Sequence, residues 1–277
     1  MSYKTLVVHA DTGPAADARF RVAAALALRF DAHLIACAPT GISRFIEPDV
    51  IVREGTALAQ VCAAMRAGAA DALRRCAQVV SEHGLPPAEE RIIDDDAGGI
   101  AAHARYADLV VLSQPDVAMP MPGSASDLPG CLLRESGRPL LLMPRAGSVA
   151  DLHGTVVLAW DGSLEATRAM IGALPLLRAA ASVSVVHLDD GTQGPRRDAC
   201  LRSEMTHYLR RQGVQARASY RAGRLEAGEA LLSTACDAGA GLLVMGGYGR
   251  SPLRESVFGG VTAAVLRSMT LPVLLAH

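Results

Sequence analysis

Two stretches decide the fold, TLVVHAD at Thr5–Asp11 and TVVLAWD at Thr155–Asp161. Each is a short aliphatic run that ends on an aspartate, and the second follows the first at an offset of 150 residues. AHLIACA then aligns with ASVSVVH at an offset of 149, while ADLVVLSQ aligns with AGLLVMGG and RPLLLMP with LPVLLAH at 133. Internal repetition of this length predicts two copies of one folding unit, with a shorter middle in the second copy.

Each copy alternates short apolar strands with helical patterns. The strands are predicted at Thr5–Ala10, His33–Ala38, Arg91–Asp94, Leu109–Ser113, Pro139–Met143, Thr155–Trp160, Ser182–Leu188, Gln215–Tyr220, Leu242–Gly246 and Pro272–Ala276. Their continuous apolar runs are typical of a parallel sheet that helices cover on both faces. We therefore expect an α/β protein of two tandem, doubly wound, five-stranded parallel-sheet domains. The predicted domains are residues 1–146 and 153–277, joined by a linker at Arg145–Gly154.

The composition limits the partners. The chain has 277 residues, 27 basic and 28 acidic side chains and a net charge of -1, which argues against binding to nucleic acid or to a membrane surface. Its N-terminus lacks the long apolar segment of a signal peptide, so we expect a cytoplasmic protein. The six cysteines are scattered and are expected to be reduced core thiols.

The stretch MGGYGRSPLRESVFGGVT, residues 245–262, carries the functional signal. Gly246, Gly249 and Gly259 follow a G-x2-G-x9-G spacing immediately after the fourth strand of the second copy. Ligands of such sheets bind beyond the carboxyl ends of the strands. Glycine there lets backbone N–H groups approach an anion, and the start of the next helix adds a favourable dipole.

This pattern resembles the universal stress protein family, whose nucleotide-binding members carry the same glycine spacing. The strand VVLAWDGS and the final LPVLLAH also resemble that family, and the resemblance covers both halves. It implies a tandem member with the adenine-nucleotide-hydrolase-like fold, a role in the stress response, and binding of ATP, with or without Mg²⁺. The nucleotide-binding residues that the resemblance implies are Asp161, Leu188, Met245, Gly246, Gly249, Gly259, Gly260, Val261 and Thr262.

One of these positions departs from the family pattern. Gly260 stands where nucleotide-binding members have serine or threonine, so one hydroxyl contact to the phosphates is missing. A hydrogen bond to a charged group contributes roughly 1.5 to 3 kcal/mol, so ATP binding is expected to be weakened about ten- to a hundredfold. The backbone donors and Thr262 remain.

The first copy departs further. The positions that match Gly246, Gly249, Gly259 and Gly260 hold Ser113, Asp116, Ser126 and Asp127. Two carboxylates would face any phosphate there, so we expect no nucleotide in the first domain although Asp11 matches Asp161.

Two alternatives stay open. Asp161 can instead cap the helix that begins in GSLEATRA, which is a frequent role of aspartate. The chain can also be a ligand-independent interaction module with a lapsed nucleotide site. No P-loop or nucleophile-elbow motif occurs, so any catalysis is expected to be slow ATP hydrolysis at most.

The final strand of each copy is expected at a sheet edge, where an apolar strand favours pairing. The family resemblance implies that these edges pair between domains. We therefore expect an intrachain pseudo-dimer, further homodimerisation of chains and a protein partner of unknown identity.

Overall fold

The structure, a computed structural model, describes residues 2–45, 56–94, 97–115, 128–146, 151–189, 195–222, 227–248 and 260–277. Their contacts divide the chain into two compact units, Ser2–Leu140 and Leu141–His277. The division falls at the start of the fifth strand. The domain boundaries at residues 146 and 153 stay predictions, and part of the predicted linker lies outside the described residues.

The N-terminal half alternates strands and helices in the predicted order. Its elements are β1 (Thr5–His9), α1 (Ala16–Phe30), β2 (His33–Pro39), the short α2 (Ile42–Phe45), α3 (Thr56–Glu82), β3 (Glu89–Ile93), α4 (Ala97–Ala104), β4 (Leu109–Ser113), α5 (Leu128–Ser136) and β5 (Leu140–Met143). The strands run parallel in the order β3-β2-β1-β4. β5 begins beside β4, where the N–H of Val110 donates to the carbonyl of Pro139 at 3.1 Å.

The C-terminal half repeats this plan. Its elements are β6 (Thr155–Ala159), α6 (Leu164–Ala179), β7 (Ser182–Asp189), α7 (Pro195–Arg211), β8 (Ala216–Ala222), α8 (Ala227–Asp237), β9 (Ala240–Gly246), α9 (Val261–Ser268) and β10 (Val273–Ala276). The parallel strand order is β8-β7-β6-β9-β10, which matches the order of the N-terminal half. The fold class predicted from the repeat is confirmed.

The central strands of each half are buried on both sides, which is why their sequences are continuously apolar. Leu6, Val7 and Val8 of β1 and the whole of β5 are buried, as are Val156–Leu158 of β6 and β10. Part of the shortening in the middle of the second copy lies in its second long helix. That helix, α7, has 17 residues, whereas α3 has 27.

Two glycines permit close packing in the C-terminal half. A Cβ on Gly241 would lie 2.0 Å from the carbonyl oxygen of Asp151, and the β6–β9 register shifts beside this position. A Cβ on Gly228 would lie 2.7 Å from the Cβ of Ala264 and 3.1 Å from the carbonyl oxygen of Val261. The contacts at Gly228 pack α8 directly against the start of α9.

The described cysteines are free thiols, and Cys37, Cys62 and Cys76 are buried as expected. The expectation of core positions is wrong for Cys236, which is exposed, and for Cys131, which is half-buried. Among the described residues, no helix combines the length and the apolar character that crossing a membrane requires.

Candidate functional site

The candidate site lies at the carboxyl edge of the C-terminal sheet. β6 and β9 are neighbouring parallel strands, with Leu158 opposite Val244, so both chains leave the sheet on the same side. β6 ends at Ala159 and β9 at Gly246. The polar residues that follow the two strands therefore emerge side by side.

Asp161 presents an exposed carboxylate at this edge. Its Oδ1 accepts a hydrogen bond from the N–H of Ser163 at 2.9 Å, which forms a local turn. The helix cap is Ser163 itself, because its Oγ accepts from the N–H of Ala166 at 3.1 Å. The alternative hypothesis that Asp161 caps α6 is therefore wrong. The Asp161 side chain is exposed, and its second carboxylate oxygen, Oδ2, is the one that a ligand could reach.

Gly246 is needed for packing against α6. A Cβ at this position would lie 2.6 Å from the backbone nitrogen of Ala166 and 2.8 Å from the carbonyl carbon of Glu165. These atoms are backbone and cannot rotate away. The glycine therefore brings the end of β9 against the first turn of α6, close to the turn that holds Asp161.

Thr262 ties the loop after β9 to the start of α9. Its buried Oγ1 accepts a hydrogen bond from the N–H of Tyr248 at 3.2 Å. Tyr248 has a φ of 57°, in the left-handed region that side chains other than glycine seldom adopt. The Thr262 hydroxyl, predicted to face phosphate, thus also stabilises this strained turn.

The first turn of α9 offers backbone donors. Gly260 is the N-cap residue, with φ -52° and ψ 164°, and it has no side chain to satisfy the N–H groups that follow. Its carbonyl accepts from the N–H of Ala264 at 3.0 Å, as in a regular first turn. The N–H groups at the start of a helix have no partner within the helix. Val261 lies in this turn with its side chain 37% exposed.

The remaining predicted site residues differ in how much the structure says of them. Met245 is buried in the core, so only its backbone can border a ligand. The backbone of Leu188 lies in β7, opposite Arg221 of β8. Gly249 and Gly259 lie outside the described residues. The geometry thus brings together Asp161 and Gly246 through α6, and the loop after Gly246 with Thr262.

Trp160 and His187 support the base of this edge. No sequence motif links these two residues. The N–H of Trp160 donates to the carbonyl of Val186 at 2.8 Å, and Nδ1 of His187 lies 2.7 Å from the carbonyl oxygen of Trp160. Both side chains are buried. Trp160 thus packs in the core of the C-terminal half.

The same edge of the N-terminal half is occupied by a side chain. Arg19, from α1, is fully buried with Nη2 3.0 Å from Oδ2 of Asp11, and its Nη1 donates to Oγ of Ser113. Asp11 also accepts from the N–H of Gly13 at 2.7 Å and lies 3.2 Å from Nδ1 of His9. Arg19 was not among the residues predicted from the sequence. The signal available was an arginine on the apolar face of a helix.

These contacts set the ionisation of the N-terminal cluster. Burial raises the pKa of Asp11, but Arg19, His9 and the Gly13 N–H together outweigh burial, and the resulting pKa lies below the ordinary value. Burial lowers the pKa of His9 to about 4, with Asp11 opposing the shift and Arg19 adding to it. At neutral pH the cluster is a carboxylate and a guanidinium beside an uncharged imidazole.

Of the other N-terminal positions that were compared with the glycine motif, Asp116, Ser126 and Asp127 lie outside the described residues. In the part of the chain that is described, no group of three or more His, Cys, Asp or Glu side chains is arranged to hold a metal ion. The C-terminal edge itself offers the carboxylate of Asp161 as a hydrogen-bond acceptor and the backbone N–H groups at the start of α9 as donors.

The fold and this edge define a doubly wound α/β protein of the class that binds small ligands beyond its strands. A family model with the description "Universal stress protein family" matches residues 153–277. Residues 153–277 therefore form a domain of the universal stress protein family. No protein of curated function matches the sequence.

Solved structures extend this likeness across both halves. A universal stress protein from Archaeoglobus fulgidus matches with a TM-score of 0.70 at 14% identity, covering 98% of this chain and 95% of that chain. A putative universal stress protein from Pseudomonas aeruginosa matches with a TM-score of 0.61 at 17% identity, covering 99% and 93%. At these identities the likeness establishes the fold. The whole chain thus has the fold of universal stress proteins.

Proposed function

We propose that the C-terminal half binds an adenine nucleotide, with ATP as the expected ligand, and that occupancy alters the choice of a protein partner during a stress response. The observation that carries the proposal is the pairing of an exposed carboxylate, Asp161, with the uncapped start of α9 at one sheet edge. A nucleotide needs both chemistries, since its sugar hydroxyls donate hydrogen bonds and its phosphates accept them.

The residues divide these tasks. Oδ2 of Asp161 accepts a hydrogen bond from a ribose hydroxyl, and the backbone of Leu188 borders the adenine. The N–H groups of Val261 and Thr262 donate to phosphate oxygens, where the helix dipole also favours negative charge. Mg²⁺ would be held mainly by the phosphates, as is usual for nucleotide-bound magnesium.

The stoichiometry follows from the difference between the halves. The matching carboxylate in the N-terminal half, Asp11, is already engaged by Arg19 and His9. We expect one nucleotide per chain.

Nucleotide released from the purified, denatured protein tests the proposal directly. We expect ATP or ADP in an amount close to one per chain. If the protein purifies empty, the melting temperature is measured with ATP, ADP and cAMP, each with and without Mg²⁺. A ligand at about a hundred times its dissociation constant stabilises by about 2.7 kcal/mol. No release and no thermal shift would overturn the proposal.

Asp161→Asn separates the specific site from general effects of charge. The amide keeps the acceptor for the Ser163 N–H but no longer offers a charged oxygen to the ribose, so affinity should fall about tenfold. Asp151→Asn is the matched control, because Oδ1 of this exposed aspartate likewise accepts from the N–H two residues later, at 2.9 Å from His153. Equal losses in both variants would count against the ribose contact.

Gly260→Ser restores the hydroxyl that the family pattern has at this position. The backbone angles of Gly260 are open to serine without strain, so the substitution is compatible with the fold. We expect tighter ATP binding by about ten- to a hundredfold, since a hydroxyl can donate to a phosphate oxygen. Gly260→Ala is the control that adds a Cβ without the hydroxyl. Equal affinity of the two variants would mean that the phosphates lie elsewhere.

A ligand-independent interaction module is the second candidate function. It is favoured by Gly260, which supplies no side-chain donor, and by Thr262, whose oxygen is engaged by the Tyr248 N–H. Under this alternative a protein partner binds with the same affinity in the presence and absence of ATP. For either candidate we expect at most slow ATP hydrolysis.

A further inference from the structure

The N-terminal half differs from the C-terminal half by one buried cation at the edge that corresponds to the candidate site. At the offset of 150 that relates Asp11 to Asp161, Arg19 corresponds to Ala169, and both residues are fully buried on the first helix of their half. Ser113 corresponds to Gly246 at the offset of 133. The two substitutions therefore occur on elements that face each other.

The guanidinium of Arg19 spans the gap between the first and fourth strands of the half. One amino group lies beside Oδ2 of Asp11 at 3.0 Å, and the other donates to Oγ of Ser113. β1 and β4 are direct neighbours, with Val8 opposite Val111, so these two contacts close the carboxyl edge at its centre. The guanidinium carbon also lies 5.3 Å from the ring centre of Phe20.

The contacts resemble those of a bound ligand more than those of a surface ion pair. Arg19 is fully buried. Its Nη1 donates to Ser113, whereas neither Nη2, which forms the ion pair with Asp11, nor Nε has a hydrogen-bond partner among the described residues. Asp11 supplies the charge that a buried guanidinium requires, and Ser113 supplies a neutral acceptor. In the C-terminal half the corresponding alanine and glycine supply neither a cation nor an acceptor.

We propose that the N-terminal half contains a guanidinium-binding pocket, formed by Asp11 and Ser113, and that Arg19 occupies it as an internal ligand. The pocket selects a planar cation with two donor groups. Arg19 thereby closes the edge that remains accessible at Asp161 in the other half. This proposal concerns residues 2–140 alone and is independent of nucleotide binding by the C-terminal half.

Chemical rescue tests the proposal in the full chain. Arg19→Ala deletes six heavy atoms, which are the six heavy atoms of an ethylguanidinium ion. We expect the melting temperature to fall on the order of 10 °C, because Asp11 loses its partner inside the protein. Millimolar ethylguanidinium should recover several degrees of this loss in a saturable manner, whereas ethylammonium at equal ionic strength should not, since its single nitrogen cannot reach Asp11 and Ser113 as the two amino groups of a planar guanidinium do.

Two control variants make the rescue specific. Arg29→Ala removes an exposed arginine from the same helix and should show neither the loss nor the rescue. Adding Asp11→Asn to Arg19→Ala removes the counter-charge and should abolish rescue. A destabilised Arg19→Ala protein that ethylguanidinium does not restore, or restores equally without Asp11, would overturn the proposal.

The wild-type protein gives a second test that does not depend on a variant that folds. The terminal amino hydrogens of a clamped, buried guanidinium exchange slowly with water. Nitrogen-detected NMR should therefore show persistent side-chain signals for Arg19 at neutral pH and rapid exchange for Arg29. Equal exchange of the two arginines would overturn the proposal.

Discussion

The two aspartates that end the first strand of each half have opposite surroundings. Asp11 is mostly buried and lies beside Arg19, His9 and the Gly13 N–H, whereas Asp161 is exposed and, among the described residues, accepts only the Ser163 N–H. The strand order around them is the same. The difference shows that one fold can either satisfy this carboxylate internally or leave it accessible.

The largest expected effect comes from removing each carboxyl charge in turn. Asp11→Asn should lower the free energy of unfolding by about 3 to 5 kcal/mol, because it leaves the buried Arg19 without its counter-charge. Asp161→Asn should change the free energy of unfolding by less than about 0.5 kcal/mol, since its carboxylate is exposed. Urea titrations of both variants measure the comparison. Similar losses would mean that the two aspartates do not differ as described.

Acid sensitivity should come from the N-terminal half. The pKa of His9 is lowered from 6.5 to about 4. Between pH 6.5 and pH 4 this histidine therefore binds a proton in the unfolded chain but not in the folded chain. The stability contributed by His9 is complete above pH 6.5 and is lost as the pH falls toward 4, by about 3 kcal/mol in total. Asp11, whose pKa is also lowered, extends the loss to lower pH.

Urea titrations from pH 7 to 4 measure this slope. His9→Asn should flatten it, because its amide can still donate to Asp11 and does not titrate. A slope that survives His9→Asn would assign the acid sensitivity elsewhere.

A smaller effect should separate the ends of the two fourth strands. Gly246→Ala forces a Cβ to within 2.6 Å of the Ala166 nitrogen and should destabilise by about 1 to 3 kcal/mol. Ser113→Ala keeps its Cβ and removes only one acceptor from Arg19, which should cost about 1 to 2 kcal/mol. Ligand affinity, measured by calorimetry, should fall for Gly246→Ala and stay unchanged for Ser113→Ala.

The smallest expected effect concerns the turn at Tyr248. Thr262→Val keeps the shape of the side chain and removes the acceptor of the Tyr248 N–H, so stability should fall by about 1 kcal/mol. Thr167→Val is the control, since the Thr167 hydroxyl only donates to the carbonyl of Ser163 within a helix. If ATP affinity falls for Thr262→Val alone, the turn supports the binding site. Thermal melts and calorimetry measure both quantities.

The repeat was sufficient to predict the fold. All ten strands lie within a few residues of their predicted positions, and for the central strands the reason is that continuous apolar runs such as TLVVH and LLVMG are strong signals of buried parallel strands. The predicted end of β1 at Ala10 and the observed end at His9 differ by one residue. Hydrophobic pattern determines which segments are buried, and burial determines the elements.

The candidate site was only partly predictable. Glycine spacing predicts a site at the carboxyl edge of the C-terminal sheet, but Gly246 is explained by its approach to Ala166, which depends on where α6 packs. The internal contact of Arg19 with Ser113 joins residues 94 positions apart and leaves no local pattern. The cap of α6 is Ser163 and not Asp161, which lies two residues earlier. Sequence propensities do not locate the start of a helix to within two residues.

Gly228 has a consequence for how the C-terminal half can respond to a molecule arriving at its edge. Because this glycine lets α8 touch the backbone of Val261 and the side chain of Ala264, the opening turn of α9 is braced from behind. A turn that is supported in this way cannot shift to accommodate a larger or differently shaped ligand. Selectivity for the proposed nucleotide would therefore rest on how well it fits this surface, and any displacement of the surface would also move α8.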